Sequence, residues 1–232
     1  MKKLGIIGGM SWESTQTYYA HLNRGIRGRL GGLHSVSCVL HSFDFAEIAA
    51  YQAEGDWQRA TDAMISAGLS LKQAGADCLL IATNTMHKMA EQVEQAAGVP
   101  LLHIADATAA AITAQKVKNP LLLATEFTMS QDFYKGRLAE KHGVHVTVPS
   151  QEDRSEIHRI IYQELCQGEI LSGSKQTYCD IIARYQESQG CDGVIFGCTE
   201  IGLLISQDDV SIPAFDTTKI HCDYAIDYIL SA

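Results

Sequence analysis

The sequence contains no Cys-x-x-Cys pair, no His-x-x-x-His spacing and no clustered run of Lys or Arg. Compact soft-metal and thioredoxin-type redox motifs are therefore missing from it. Basic residues are scarce, 18 Lys and Arg against 27 Asp and Glu, a formal net charge of −9. Nothing in that pattern would neutralise a phosphate backbone or an anionic bilayer, so neither nucleic acid nor membrane is expected as a partner. Apolar runs are short, far from the roughly 20 residues of a spanning helix. Lys2 and Lys3 before Leu4 to Met10 only faintly imitate a secretory leader, because the run meets Ser11-Trp12-Glu13 without a small-residue cleavage site. The seven cysteines form an odd, scattered set, which reads as reduced and cytoplasmic.

What is present is ordinary globular composition, 46% hydrophobic and 19% charged, over 232 residues, enough for one large or two small domains. Short apolar runs at Leu4 to Ile7, Val36 to Leu40, Cys78 to Ala82, Leu101 to Ile104, Leu121 to Ala124, Val144 to Val148, Gly193 to Phe196 and Pro213 to Phe215 read as strands. Segments of helical period lie between them, at Trp12 to Arg27, Trp57 to Ala74, Thr85 to Ala97, Met129 to His142, Arg154 to Cys166 and Ser174 to Ser188. Gly75, Gly98, Gly143 and Gly190 are placed to stop helices. Such alternation predicts an α/β fold with parallel sheets flanked by helices, whose ligands sit beyond the carboxyl ends of the strands.

The two halves repeat each other. Gly75 to Thr85 lies over Gly190 to Glu200 without a gap, a constant offset of 115 that makes Thr83 and Cys198 equivalent. Gly9-Met10-Ser11 opposes Thr128-Met129-Ser130 at an offset of 119, each expected to open a helix after a first strand. Pro100 to Thr108 opposes Pro213 to Thr218, each an expected strand ending in Asp106 or Asp216. The spacing predicts two similar lobes, 1–113 and 119–217, with a final helix over about 218–232 crossing back to the first. A pseudo-twofold axis would set Thr83 and Cys198 facing across an interlobe cleft that holds the active site.

Gly197-Cys198-Thr199-Glu200 follows a buried-type strand, where the amides of a helix N-terminus would lower the thiol pKa. Cys38, Cys78, Cys166 and Cys191 read instead as buried structural residues. Thr83-Asn84-Thr85-Met86-His87 gathers hydroxyl, amide and imidazole in one strand-to-helix turn. Thr85 there suits an N-cap, and His87 is either a helix-surface residue or an orienter of its neighbours. Gly5-Ile6-Ile7-Gly8-Gly9-Met10 departs from G-x-G-x-x-G and lacks a Walker lysine, so it and Thr125-Glu126-Phe127-Thr128 read as carboxylate cradles rather than nucleotide loops. His34, His41, His103 and His221 with Asp44, Asp106 and Asp216 show no compact ligand spacing, and no metal is expected. Gly28-Arg29-Leu30-Gly31-Gly32 reads as a flexible loop with Arg29 as an electrostatic guide.

Gly-Gly-Met near the start, Thr83 to His87 midway and Gly197 to Glu200 late, together with His103 to Thr108 and Val194 to Leu204, resemble the aspartate/glutamate racemase family over essentially the whole chain. The resemblance implies a cofactor-independent amino-acid racemase, without pyridoxal phosphate or metal, that forms a homodimer. It implies two bases on opposite faces of the substrate Cα, here Cys198 and Thr83 as the catalytic pair, with Thr83 where the pattern has a second cysteine. Resemblance and local chemistry assign substrate binding to Met10 (main chain), Gln52, Asn84, Thr85, Thr125, Thr128 and Thr199, with Glu200 tuning Cys198 or meeting the substrate ammonium. A threonine hydroxyl is a poor base, which implies an apparent preference for L-aspartate or L-glutamate. The alternatives are a one-cysteine decarboxylase or isomerase of the same superfamily, a hydrolase or transferase using Cys198 as nucleophile, and a non-catalytic amino-acid-binding protein.

Overall fold

The computed structural model describes residues 1–231 and divides the chain into two compact units, Met1–His103 with the chain from His221 onward, and Ile104–Ile220. The expected boundary after 113 falls after 103 instead.

The first unit runs β1 (Leu4–Gly8), α1 (Trp12–Leu30), β2 (Cys38–Ser42), α2 (Phe45–Glu54), α3 (Trp57–Gln73), β3 (Cys78–Ile81), a 3₁₀ turn (Thr85–Met89), α4 (Ala90–Ala97) and β4 (Leu101–Leu102). Its sheet has the order β2-β1-β3-β4 with every pair parallel. β1 and β3 are buried along their whole length, as strands covered on both faces must be. Ile7, Leu79 and Ile81 pack with Met64, Ala67 and Val93 on one face. Leu4, Ile6 and Leu80 pack with Tyr18, Leu22 and Ile26 on the other, the last three at the four-residue spacing of one helix face. Ser11 caps α1 by accepting the Ser14 N–H at 3.4 Å.

In the second unit come α5 (Ile104–Ala114), β5 (Pro120–Leu123), α6 (Glu126–Ser130), α7 (Asp132–His142), α8 (Gln151–Gln163), α9 (Ser172–Gln189), β6 (Gly193–Phe196), α10 (Ile201–Leu204) and β7 (Ala214–Asp216). The parallel sheet order is β5-β6-β7. Leu121 to Leu123, Val194 and Ile195 form its centre, packed against Tyr134, Ile157, Ile160, Tyr178 and Ile181 from the helices. Within α11 (Thr217–Leu230) the chain passes from the second unit back into the first at His221.

The repeat is realised in the register. β3 and β6 start and stop at positions 115 apart, and each pairs with the first strand of its own sheet, Leu4 with Cys78 and Pro120 with Gly193. That register sets Gly9 opposite Thr125, so the expected match of Gly9-Met10-Ser11 with Thr128-Met129-Ser130 does not hold. Ser11 precedes α1, whereas Thr128 lies inside α6, whose cap is Thr125.

Several element expectations are corrected. Val144 to Val148 forms no strand; only Thr147 bridges β5, its N–H donating to Pro120 O at 2.9 Å and its carbonyl accepting from Leu122 N at 2.8 Å. Asp106 ends no strand, because helix begins at Ile104 in an alanine-rich stretch of high propensity. Burial raises the Asp106 carboxyl, but the bidentate Arg137 guanidinium at 2.6 and 2.7 Å and His142 at 2.8 Å outweigh it and hold it below its ordinary range. Gly28 to Leu30 is the last turn of α1 rather than a loop, and Arg29 pairs with Asp227 at 2.8 Å. α2 was not expected; Asp44 caps it through the Ala46 N–H at 3.1 Å. No helix among the described residues is long and apolar enough to cross a membrane.

Candidate active site

In both units the candidate catalytic residue sits two positions past the carboxyl end of a buried strand. In the first unit, Thr83 stands two residues beyond β3, with Asn84 and Thr85 following, all three buried. Thr85 opens the 3₁₀ turn, and Asn84 occupies the cap position without a side-chain cap bond, so Thr85 is not the cap. The His87 ring reaches back one turn, its Nδ1 lying 2.8 Å from the Thr83 carbonyl oxygen. Only a protonated Nδ1 can donate there, which makes His87 an orienter of the Thr83 main chain rather than a surface residue. Its ring lies 4.6 Å from that of His103 and 5.6 Å from that of His221, which accepts or donates with Tyr18 Oη at 3.0 Å and bonds the Leu102 carbonyl at 2.7 Å.

Gln52 enters the same neighbourhood through α2, its Nε2 donating to Met86 Sδ at 3.2 Å. Met10 is buried in the same apolar cluster as Met86. Gly9 before it has φ +83°, and a Cβ there would lie 2.4 Å from both the N and the O of Phe43. Only glycine lets β1 turn away while the backbone approaches so closely. Its N–H donates to Thr15 Oγ at 2.8 Å, fixing the turn to α1.

In the second unit Thr125, Thr128, Cys198, Thr199 and Glu200 are each almost wholly buried, the first two following β5 and the other three following β6. Thr125 caps α6, its Oγ accepting the Thr128 N–H at 3.4 Å and lying 3.1 Å from Thr128 Oγ. Cys198 stands two residues beyond β6, after Gly197, whose backbone passes so close to β5 that a Cβ would lie 2.6 Å from Leu122 Cδ1 and 3.1 Å from Ala124 Cβ. The Cys198 thiol donates to Glu200 Oε2 at 2.9 Å, and the Thr199 hydroxyl donates to the same oxygen at 2.9 Å.

This geometry reverses the expected direction of the Cys198 pKa. Burial first, then the adjacent Glu200 carboxylate, push the thiol well above its ordinary value, and the Glu200 main-chain N–H only partly opposes them. α10 has four residues and begins after Glu200, so no helix dipole of useful length faces the sulfur. The thiol is thus held in its protonated form, hydrogen-bonded to Glu200 along a line on which a proton can move between sulfur and Oε2.

Sequence reasoning missed the α8 side of this unit. Arg154, His158 and Tyr162 recur every four residues and so share one helix face. Arg154 Nε lies 3.4 Å from Glu126 Oε1, His158 Nδ1 accepts the Glu126 N–H at 3.3 Å, and the His158 and Tyr162 rings are 4.6 Å apart. Burial raises the Tyr162 phenol, with Cys198, Cys166 and Glu200 adding to it, which puts the thiol and Glu200 within electrostatic reach of this helix. The polar i, i+4, i+8 pattern was the available signal. Among the described residues, no three His, Cys, Asp or Glu side chains are grouped to ligate a metal.

Comparison with known proteins gives a consistent set of matches. A family model described as Asp/Glu/hydantoin racemase matches residues 7–225. The broad-specificity amino-acid racemase RacX of Bacillus subtilis (strain 168) is 24% identical over 224 residues, covering 93% of this chain and 92% of that protein. A crystal structure from Yersinia pestis, itself a proposed Asp/Glu racemase, is 52% identical with a TM-score of 0.91 over 100% of both chains. An aspartate racemase homologue from Pyrococcus horikoshii OT3 is 37% identical with a TM-score of 0.86, again over 100% of both.

Proposed function

The chain belongs to the Asp/Glu/hydantoin racemase family, and we propose that within it the protein is a cofactor-independent racemase of acidic amino acids that works by two-base proton transfer at Cα. One observation carries the reading. β3 and β6 end at equivalent positions, and two residues beyond each stands a group able to hold a proton, Thr83 in one unit and the Cys198–Glu200 pair in the other.

A Cα proton is a very weak acid, so removing it takes a base in place and electrostatic support for the carbanion. With L-substrate, Glu200 accepts the Cys198 proton, the thiolate removes the Cα hydrogen, and the Thr83 hydroxyl delivers a proton to the opposite face; water then reprotonates the Thr83 oxygen and takes up the proton held by Glu200, which restores every group. Thr125, Thr128, Thr199, Asn84, Thr85 and the Met10 main chain supply donors for the substrate carboxylates, and Gln52 adds its side-chain amide. Because Thr83 is the weaker partner in either direction, the enzyme favours work started by Cys198, an apparent L-preference. A cytoplasmic homodimer is part of the same reading. The relative named as a broad-specificity racemase supports the reaction class, while the acidic preference comes from the family resemblance.

The test is chiral chromatography of products from a panel of pure L- and D-amino acids. Aspartate or glutamate is expected to racemise fastest, and a panel in which no amino acid inverts would contradict the reading.

A further inference from the structure

His158 has no part in the proton transfers above, yet its geometry is tightly specified. The Glu126 N–H is the first amide of α6, one of the helix-start donors that the helix itself cannot satisfy. Thr125 caps the Thr128 N–H from within the turn, and His158 accepts the Glu126 N–H from a different helix at 3.3 Å. A backbone amide can only donate, so Nδ1 must be unprotonated and the neutral ring carries its proton on Nε2. The ring is half-buried, edge-on to Phe127 at 5.8 Å and tilted against Tyr162 at 4.6 Å.

We infer that His158 is a positioning residue for substrate binding, a neutral imidazole that pins the turn Thr125 to Thr128 and releases it on protonation. This rests on the racemase reading, in which Thr125 and Thr128 hold a substrate carboxylate. An imidazolium has only donors, so it would set Nδ1–H against the Glu126 N–H and break the bond. Burial holds the His158 pKa below its ordinary value, and the Glu126 carboxylate partly opposes that. The charged and titratable groups around the ring are Glu126 from α6, Arg154 and Tyr162 from α8, and, beyond Tyr162, Cys166, Cys198 and Glu200.

The consequence is a Michaelis constant for L-aspartate or L-glutamate that rises on acidification through the His158 titration, with a smaller change in kcat. Steady-state kinetics from pH 5 to 8 on three proteins test it. His158→Asn keeps an acceptor near the Nδ1 position but cannot titrate, and its KM is expected to stay flat. His158→Phe keeps the ring packing without the acceptor, and its KM is expected to sit about fivefold to tenfold above the wild-type value at pH 8, the usual effect of one lost hydrogen bond, and to change little with pH while the wild-type value climbs toward it on acidification. In parallel, the Glu126 amide resonance should titrate in the wild type and not in His158→Asn. A flat wild-type KM, an Asn variant that keeps the acid rise, or a Phe variant with the wild-type KM at pH 8 would overturn the inference, as would a Glu126 amide that does not titrate. A wild type that inverts no amino acid would instead refute the racemase reading, and the amide titration would still decide whether His158 pins the turn.

Discussion

Cys198→Ser is expected to lower turnover of both enantiomers about a thousandfold or more, with the folded state retained. The loss follows from the chemistry: a serine hydroxyl next to Glu200 is a far weaker acid than a thiol, and general acid–base groups contribute about 10² to 10⁴ in rate. The hydrogen bond to Glu200 survives, because Ser Oγ can donate to Oε2 as Cys198 Sγ does at 2.9 Å. The carboxylate is therefore not left uncompensated, and stability is expected to shift by about 1 kcal/mol or less. Kinetics on each enantiomer together with a thermal melt check both halves. Racemase activity within tenfold of wild type in Cys198→Ser would remove the sulfur from the mechanism.

Thr83→Cys should act in the opposite sense, raising kcat for D-substrate about tenfold or more. The substitution installs a thiol with an ordinary pKa near 8.5 where a hydroxyl now has to act as base. It also completes the correspondence between β3 and β6, which end 115 residues apart with Thr83 and Cys198 in the same place. Thr83 is 9% exposed and of similar size to cysteine, so packing changes little. Enantiomers have equal free energies, so kcat/KM must rise equally in both directions, and any asymmetry lies in kcat and KM taken separately. Unchanged D-substrate kinetics in Thr83→Cys would separate Thr83 from the reacting centre.

The sequence was informative where the signal is local and repeated. The Gly193 to Phe196 strand is reproduced residue for residue, and Gly98, Gly143 and Gly190 end their helices in the left-handed conformation because glycine alone tolerates it freely. It misled where tertiary partners decide. Val144 to Val148 alternates like a strand, but only Thr147 finds ladder partners, and Leu101 to Ile104 is apolar enough for a strand although the alanines beyond it carry helix from Ile104. The thiol of Cys198 was placed correctly past a strand end, yet the direction of its pKa depends on burial and on the rotamer of Glu200 two residues away, neither of which spacing encodes. Tyr162 and His158 escaped notice for the same reason. Their helix was legible, but what its polar face meets was not.

If Cys198 and Thr83 divide the two faces of Cα unequally, exchange and inversion will come apart, and deuterium incorporation coupled to chiral analysis reads both. Each pure enantiomer of aspartate or glutamate is incubated in deuterated water, and Cα deuterium is followed by mass spectrometry beside inversion by chiral chromatography. L-substrate is expected to exchange faster than it inverts, because the carbanion formed by Cys198 is often reprotonated on its original face before Thr83 delivers. D-substrate is expected to show little exchange without inversion. One exchange per inversion from L-substrate, or faster exchange from D-substrate than from L, would contradict the division of labour.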